Sequence, residues 1–155
     1  MKFNIDKLRK LQNTASQGLN SNTHQFIKDF EDYINSDEFE TFLQISLTNK
    51  ISKGELPKIY CGLPINKYGH NVFVICESKI VDSTLINGKV FSFWEIINSN
   101  SSDEFKATVL NTVKLCYELL VNKLEELGLQ VVSKKQDFSI GHNDTDSHEI
   151  NLIID

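Results

Sequence analysis

Apolar residues recur at helical spacing through the first third of the chain. Ile5, Leu8, Leu11 and Ala15 mark one stretch, and Gly18 stands where that helix is expected to end. A second helix is expected from Asn22 or Thr23, with Phe26, Ile27, Phe30, Tyr33 and Ile34 on its inner face. Ser36 reads as a break and a new N-cap, with Asp37 and Glu38 in the first turn, where carboxylates suit the helix dipole. Phe39, Phe42, Leu43 and Leu47 continue the apolar face, and Gly54 and Pro57 close the helical region.

The period then changes. Val72-Phe73-Val74-Ile75-Cys76 is a short continuous apolar run, as in a strand covered on both sides. Asn87-Gly88 stands between Thr84-Leu85-Ile86 and a β-prone run from Val90 to Ile96, which predicts a hairpin with a type I′ turn. The region around Cys61 and His70, punctuated by Pro57, Gly62, Pro64 and Gly69, reads as loop and strand edge.

Ser101 and Glu104 have the spacing of a capping box, and Gly128 that of a C′ residue. The helix between them is about 39 Å long at 1.5 Å per residue. On a helical wheel its apolar residues, from Leu115 and Leu119 round to Leu110 and Val121, span an arc of roughly 240°. Such a helix is expected to be covered on two sides. Leu129–Ser133 reads as a strand, Phe138-Ser139-Ile140 as a second short run, and 141–147 as a loop. Ile150, Leu152 and Ile154 then alternate with polar residues in a half-buried strand. The expected fold is α+β: amino-terminal helices, three antiparallel strands, one long central helix and two closing antiparallel strands. A single globular domain over residues 1–155 is expected.

Composition narrows the function classes. Hydrophobic residues make up 40% of the 155, too many for a disordered chain. No apolar run approaches a membrane span, and the first residues are polar, unlike a secretory signal. Three cysteines without a CxxC pair suit a reduced cytoplasmic protein. Each has apolar neighbours and reads as a small buried hydrophobe. Among 16 basic residues only Arg9 is arginine, which weakens readings that need guanidinium clamps on phosphates or bases. The Lys, Asn and Ile bias resembles coding by an AT-rich genome, such as that of a low-GC bacterium or its phage.

Candidate chemistry is sparse. His142, Asp144, Asp146 and His148, with Glu149 beside them, put metal-ligating residue types on the expected carboxy-terminal hairpin loop, but at no standard metal spacing. Cys61 and His70 lack the third group and the oxyanion donors that a thiolate nucleophile needs. His24 reads as a capping or surface residue at a helix start. Lys2, Lys7, Arg9 and Lys10 make the amino-terminal tip basic, and Lys134 and Lys135 could add to it against nucleic acid. The net charge of -5 opposes that role. No phosphate-binding or nucleophile-elbow motif is present, and no cofactor is expected.

The distinctive stretch is 28–40, where Asp29, Glu31, Asp32, Asp37, Glu38 and Glu40 stand against Lys28. With Tyr33 and neighbouring aromatics, these carboxylates are the expected partner contact. The leading reading is a non-catalytic protein-binding accessory protein acting by surface complementarity, an inhibitor, immunity factor or chaperone. Self-association is a further expectation, while nucleic acid and membrane are not expected partners. A small metal-dependent enzyme built on the carboxy-terminal loop is the second reading. Nucleic-acid binding through the basic amino-terminal helix is the third.

Overall fold

The computed structural model describes the backbone of residues 3–63, 72–77, 88–92, 102–133 and 146–154. It describes the side chains of all of these but 11–21, 63, 72, 102–106, 133 and 146–148. In chain order the elements are α1 (Ile5–Ile34), α2 (Asp37–Ser52), β1 (Lys58–Leu63), β2 (Val72–Cys76), β3 (Gly88–Ser92), α3 (Ser102–Glu126), β4 (Gln130–Ser133) and β5 (Asp146–Ile153). The fold is α+β, with the helices, three strands, long helix and two strands that the pattern predicts.

The two expected amino-terminal helices are one. α1 runs unbroken for 30 residues through Gly18. A single interior glycine costs a helix only about 1 kcal/mol relative to alanine, too little to stop a helix anchored by its buried carboxy-terminal half. The break falls at Asn35 and Ser36, as expected. The Ser36 hydroxyl accepts from the Phe39 N–H at 3.3 Å, and its own N–H donates to the Tyr33 carbonyl at 3.0 Å. Asn4 caps the start of α1 by accepting from the Lys7 N–H at 3.1 Å.

α2 and α3 end in the same way. Gly54 (φ 76°) and Gly128 (φ 94°) adopt the left-handed conformation. The residue after each donates back into the last turn, Glu55 to the Lys50 carbonyl at 2.8 Å and Leu129 to that of Leu124 at 3.0 Å. Ser101 lies outside the described residues.

The five strands form one antiparallel sheet in the order β3-β2-β1-β5-β4. The central strand is β1, in the region expected to be loop and strand edge. Its prolines flank the strand without entering it, and Ile59 and Cys61 are fully buried. The Asn-Gly hairpin is also corrected. Gly88 lies in β3, paired with Cys76 of β2, and residues 84–87 lie outside the described residues. Close approach explains glycine here: a Cβ would collide with the Ile75 carbonyl oxygen and come within 2.9 Å of the Cys76 Cβ.

The core lies between the helices and one face of the sheet. Ile59, Cys61, Phe73, Ile75, Phe91, Ile150 and Leu152 meet Phe26, Phe30, Phe39 and the inner residues of α3. Phe30 is the hub, with ring centres 5.8 Å from Phe73 and 5.0 Å from Phe91. On the other face Val74 and Cys76 are also buried, beside Tyr60, so β2 is covered on both sides as its apolar run predicts. α3 packs against α1 and the sheet. Its covered arc is roughly 200° rather than 240°, because Leu115 is exposed.

The chain exposes 9614 Å². A compact chain of this mass exposes roughly 8,000 Å². The sign of the difference fits the start of α1, where every residue from Phe3 to Lys10 is exposed.

Candidate interaction surface

The site is built on α2. Phe39, Leu43, Ser46, Leu47 and Lys50 recur at three- and four-residue spacing and form its buried side. The Ser36 cap and the first-turn carboxylates Asp37, Glu38 and Glu40 stabilise its start. Its far end is tied to β2. The buried Lys50 ammonium donates to the Glu77 carbonyl at 2.6 Å and lies 5.5 Å from the centre of the Tyr60 ring. Asn49 adds a 3.4 Å bond from its amide to the Glu77 carboxylate. A charge this buried requires such partners.

Open grooves flank α2 on both sides. The larger, about 520 Å³, lies between α2 and the segments that follow α3 and β5. Leu43, Leu47 and Ile51 line one wall, and Leu127, Leu129 and Ile154 the other, with Glu40 at the lip. The smaller, about 330 Å³, lies towards the start of β3 and is lined by Tyr33, Phe42 and Ile45 with Glu38 and Glu77. Several of these apolar side chains are open to solvent: Ile45 is 54% exposed, Ile51 50% and Ile154 48%.

The expected contact residues distribute over this geometry unevenly. Asp29, Glu31, Asp32, Asp37, Glu38 and Glu40 are all exposed. They do not share one face. Glu38 and Glu40 stand about 160° apart on the α2 wheel, and the two grooves receive one each. Asp29 accepts from the Gln25 amide at 2.8 Å. Glu38 lies 3.8 Å from the Lys89 ammonium, an exposed pair of small energetic weight.

Tyr33 is core rather than surface anchor. The residue is 7% exposed, and its ring centre lies 5.4 Å from that of Phe39 and 5.5 Å from that of Phe91. Burial, with the Glu38 carboxylate second, pushes its hydroxyl pKa up to about 12. Phe26, Phe30 and Phe39 are likewise interior. The aromatic surplus of this stretch builds the hub of the core, and the apolar lining of the larger groove is aliphatic.

The other candidates separate. Asp146 and His148 are not in a loop: they belong to β5, paired with Leu63 and Cys61 of β1. Glu149 continues that strand and binds Lys58 at 2.9 Å, a bond that raises the Lys58 pKa. His142 and Asp144 lie outside the described residues, as do His70, Lys2, Lys134 and Lys135. Among the described residues no three His, Cys, Asp or Glu side chains gather as a metal ion requires. Cys61, Cys76 and Cys116 are buried thiols, none of them in a disulfide. Burial pushes the Cys116 thiol up to about 12, the opposite of what a nucleophile needs. His24 is exposed in the middle of α1 rather than at a helix start. No described helix is long and apolar enough to cross a membrane.

Sequence reasoning did not find the large groove. Its walls come from α2, the end of α3 and the end of β5, and only the sheet order brings them together. The available signal was the placement of Ile51, Leu127 and Ile154 at element ends, past the stripes they extend. No known protein family matches the chain, and neither the curated proteins nor the solved structures contain one similar to it.

Proposed function

We propose that this chain is a non-catalytic protein-binding module that takes a partner segment along α2. By class it is an inhibitor, an immunity factor or a chaperone. One observation carries the reading: α2 stands between two open grooves with apolar floors, each with a carboxylate of the acidic stretch at its lip. A segment that presents aliphatic anchors between lysines or arginines complements that arrangement. The anchors would supply the affinity and the charges the orientation and the encounter rate. The aromatic hub beneath α2 keeps the surface pre-organised, which limits the ordering cost of binding.

The test is charge reversal in two sets, with the fold monitored by circular dichroism. Lysine at Asp29, Glu31 and Asp32 alters the outer side of α1, and lysine at Glu38 and Glu40 alters the groove lips. Partner association measured over a salt series should slow in the second set more than in the first. Binding that survives both sets at unchanged rate and salt dependence would remove the electrostatic part of the reading. Lysine at Ile51 and Ile154 addresses the apolar part in the same assay.

A further inference from the structure

We infer that the large groove seats the amino-terminal arm, residues 3–10, of a second copy of this chain. The inference rests on the reading of that groove as a protein-binding surface and names its occupant. The arm is a capped helical segment with an apolar side, and every one of its residues is exposed. Phe3 is 80% exposed, Ile5 47% and Leu8 48%. Phe3 and Leu8 hold the N′ and N4 positions about the Asn4 cap, so the three side chains converge on one side.

The arm cannot fill the groove of its own chain. α1 is continuous, and Phe26 is its first buried side chain among those described. Ile5 stands about 32 Å from Phe26 along the helix axis, and a helix without a hinge cannot turn back.

Charge selects the second copy. Residues 3–10 hold Lys7, Arg9 and Lys10 against Asp6, a net of +2 in a chain of -5, which leaves -7 on the remainder. The groove has Glu40 at its lip, and Glu125 and Glu126 directly precede its wall residue Leu127. A basic arm with apolar anchors thus matches an apolar groove with an acidic border, and both belong to every copy. Mutual exchange of arms about a two-fold axis satisfies both grooves and closes the assembly at two chains.

Light scattering and sedimentation of the full chain test this directly. The wild type should be a dimer. Ile5→Asp with Leu8→Asp, and separately Ile51→Lys with Ile154→Lys, should each weaken association by roughly 100-fold or more. All four side chains are about half exposed, so melting temperatures should hold in protein dilute enough for the wild type to be monomeric. Mixing the two variants should restore a dimer, because one intact arm then meets one intact groove. A labelled peptide of residues 1–12 should bind the arm variant and not the groove variant.

A wild type that stays monomeric up to its solubility limit overturns the proposal, as does dimerisation that survives the groove variant. A monomeric wild type that shifts a DNA or RNA oligonucleotide, and loses the shift in Lys7→Glu, assigns the arm to nucleic acid instead. An unrelated basic amphipathic peptide separates the two levels of inference. If the groove takes that peptide while the chain is monomeric, the second-copy assignment falls and the protein-binding reading stands. If the groove takes neither peptide, both fall.

Discussion

The two halves of α1 carry the same apolar spacing and meet opposite fates. From Phe26 onward the stripe is buried against the sheet and α3, and Phe30 is fully enclosed. From Phe3 to Lys10 the same stripe faces solvent. Amphipathic spacing therefore specifies a helix and the side on which it would pack. It does not specify that anything packs there. Packing depends on whether another element reaches that level of the axis, and β3, the last described strand on that side, meets α1 near Phe26 and Phe30.

Core truncation should show the contrast most strongly. Phe30→Ala should cost about 3–5 kcal/mol of unfolding free energy, whereas Leu8→Ala should stay within about 0.5 kcal/mol in dilute protein. Urea titration of both variants decides it. A Leu8→Ala cost close to that of Phe30→Ala would mean that the arm packs on its own chain.

Alkaline pH probes the buried half next. Tyr33 and Cys116 both have folded pKa values raised to about 12 by burial, against 10.0 and 9.0 for the free groups. Above the unfolded value the unfolded chain has lost a proton that the folded chain retains, so stability falls as pH rises. The loss should begin near pH 9 with Cys116 and near pH 10 with Tyr33, and continue to about pH 12. The slope should reach roughly 1.4 kcal/mol per pH unit for each group. Melting curves between pH 8 and 11 should flatten in Tyr33→Phe and Cys116→Ala. Equal slopes in wild type and variants would show that neither group is the cause.

The two capping residues give a finer contrast. Ser36→Ala removes the bond to the Phe39 N–H beneath the aromatic hub and should cost about 1 kcal/mol of global stability. Asn4→Ala removes the equivalent bond at the tip of the arm. It should fray the first turn, seen as faster amide exchange at Lys7, without moving the global midpoint. The smallest effect is expected at the middle of α1. Gly18→Ala should strengthen the helix locally by about 0.5–1 kcal/mol and slow amide exchange around it. A loss of stability there would indicate a close neighbour on that side.

What was legible in the sequence follows the range of the forces involved. The Ser36 break, the glycine ends at Gly54 and Gly128, and the twice-covered β2 depend on residues a few positions apart, and all were readable. β1 was missed because Pro57, Gly62 and Pro64 signal punctuation locally. Its place at the sheet centre is set by pairing with β2 and β5, far away in sequence. Gly88 misled for a related reason: a glycine that keeps space for a neighbouring strand looks, in isolation, like one that makes a turn. Of the candidate site, the exposure of the six carboxylates could be anticipated. The division of Glu38 and Glu40 between two grooves could not, because it needs the position of α2 over the sheet. Tyr33 could not be assigned either, since one helical face serves equally as core and as contact.

The three buried thiols give the molecule a set of internal clocks. Cys61 sits on the helix-facing side of β1, Cys76 on the opposite side of β2, and Cys116 on the inner side of α3. A thiol-capturing reagent can reach each of them only when its own layer opens. The order in which the three are captured would therefore record the sequence in which helix and sheet come apart, with no label introduced into the chain.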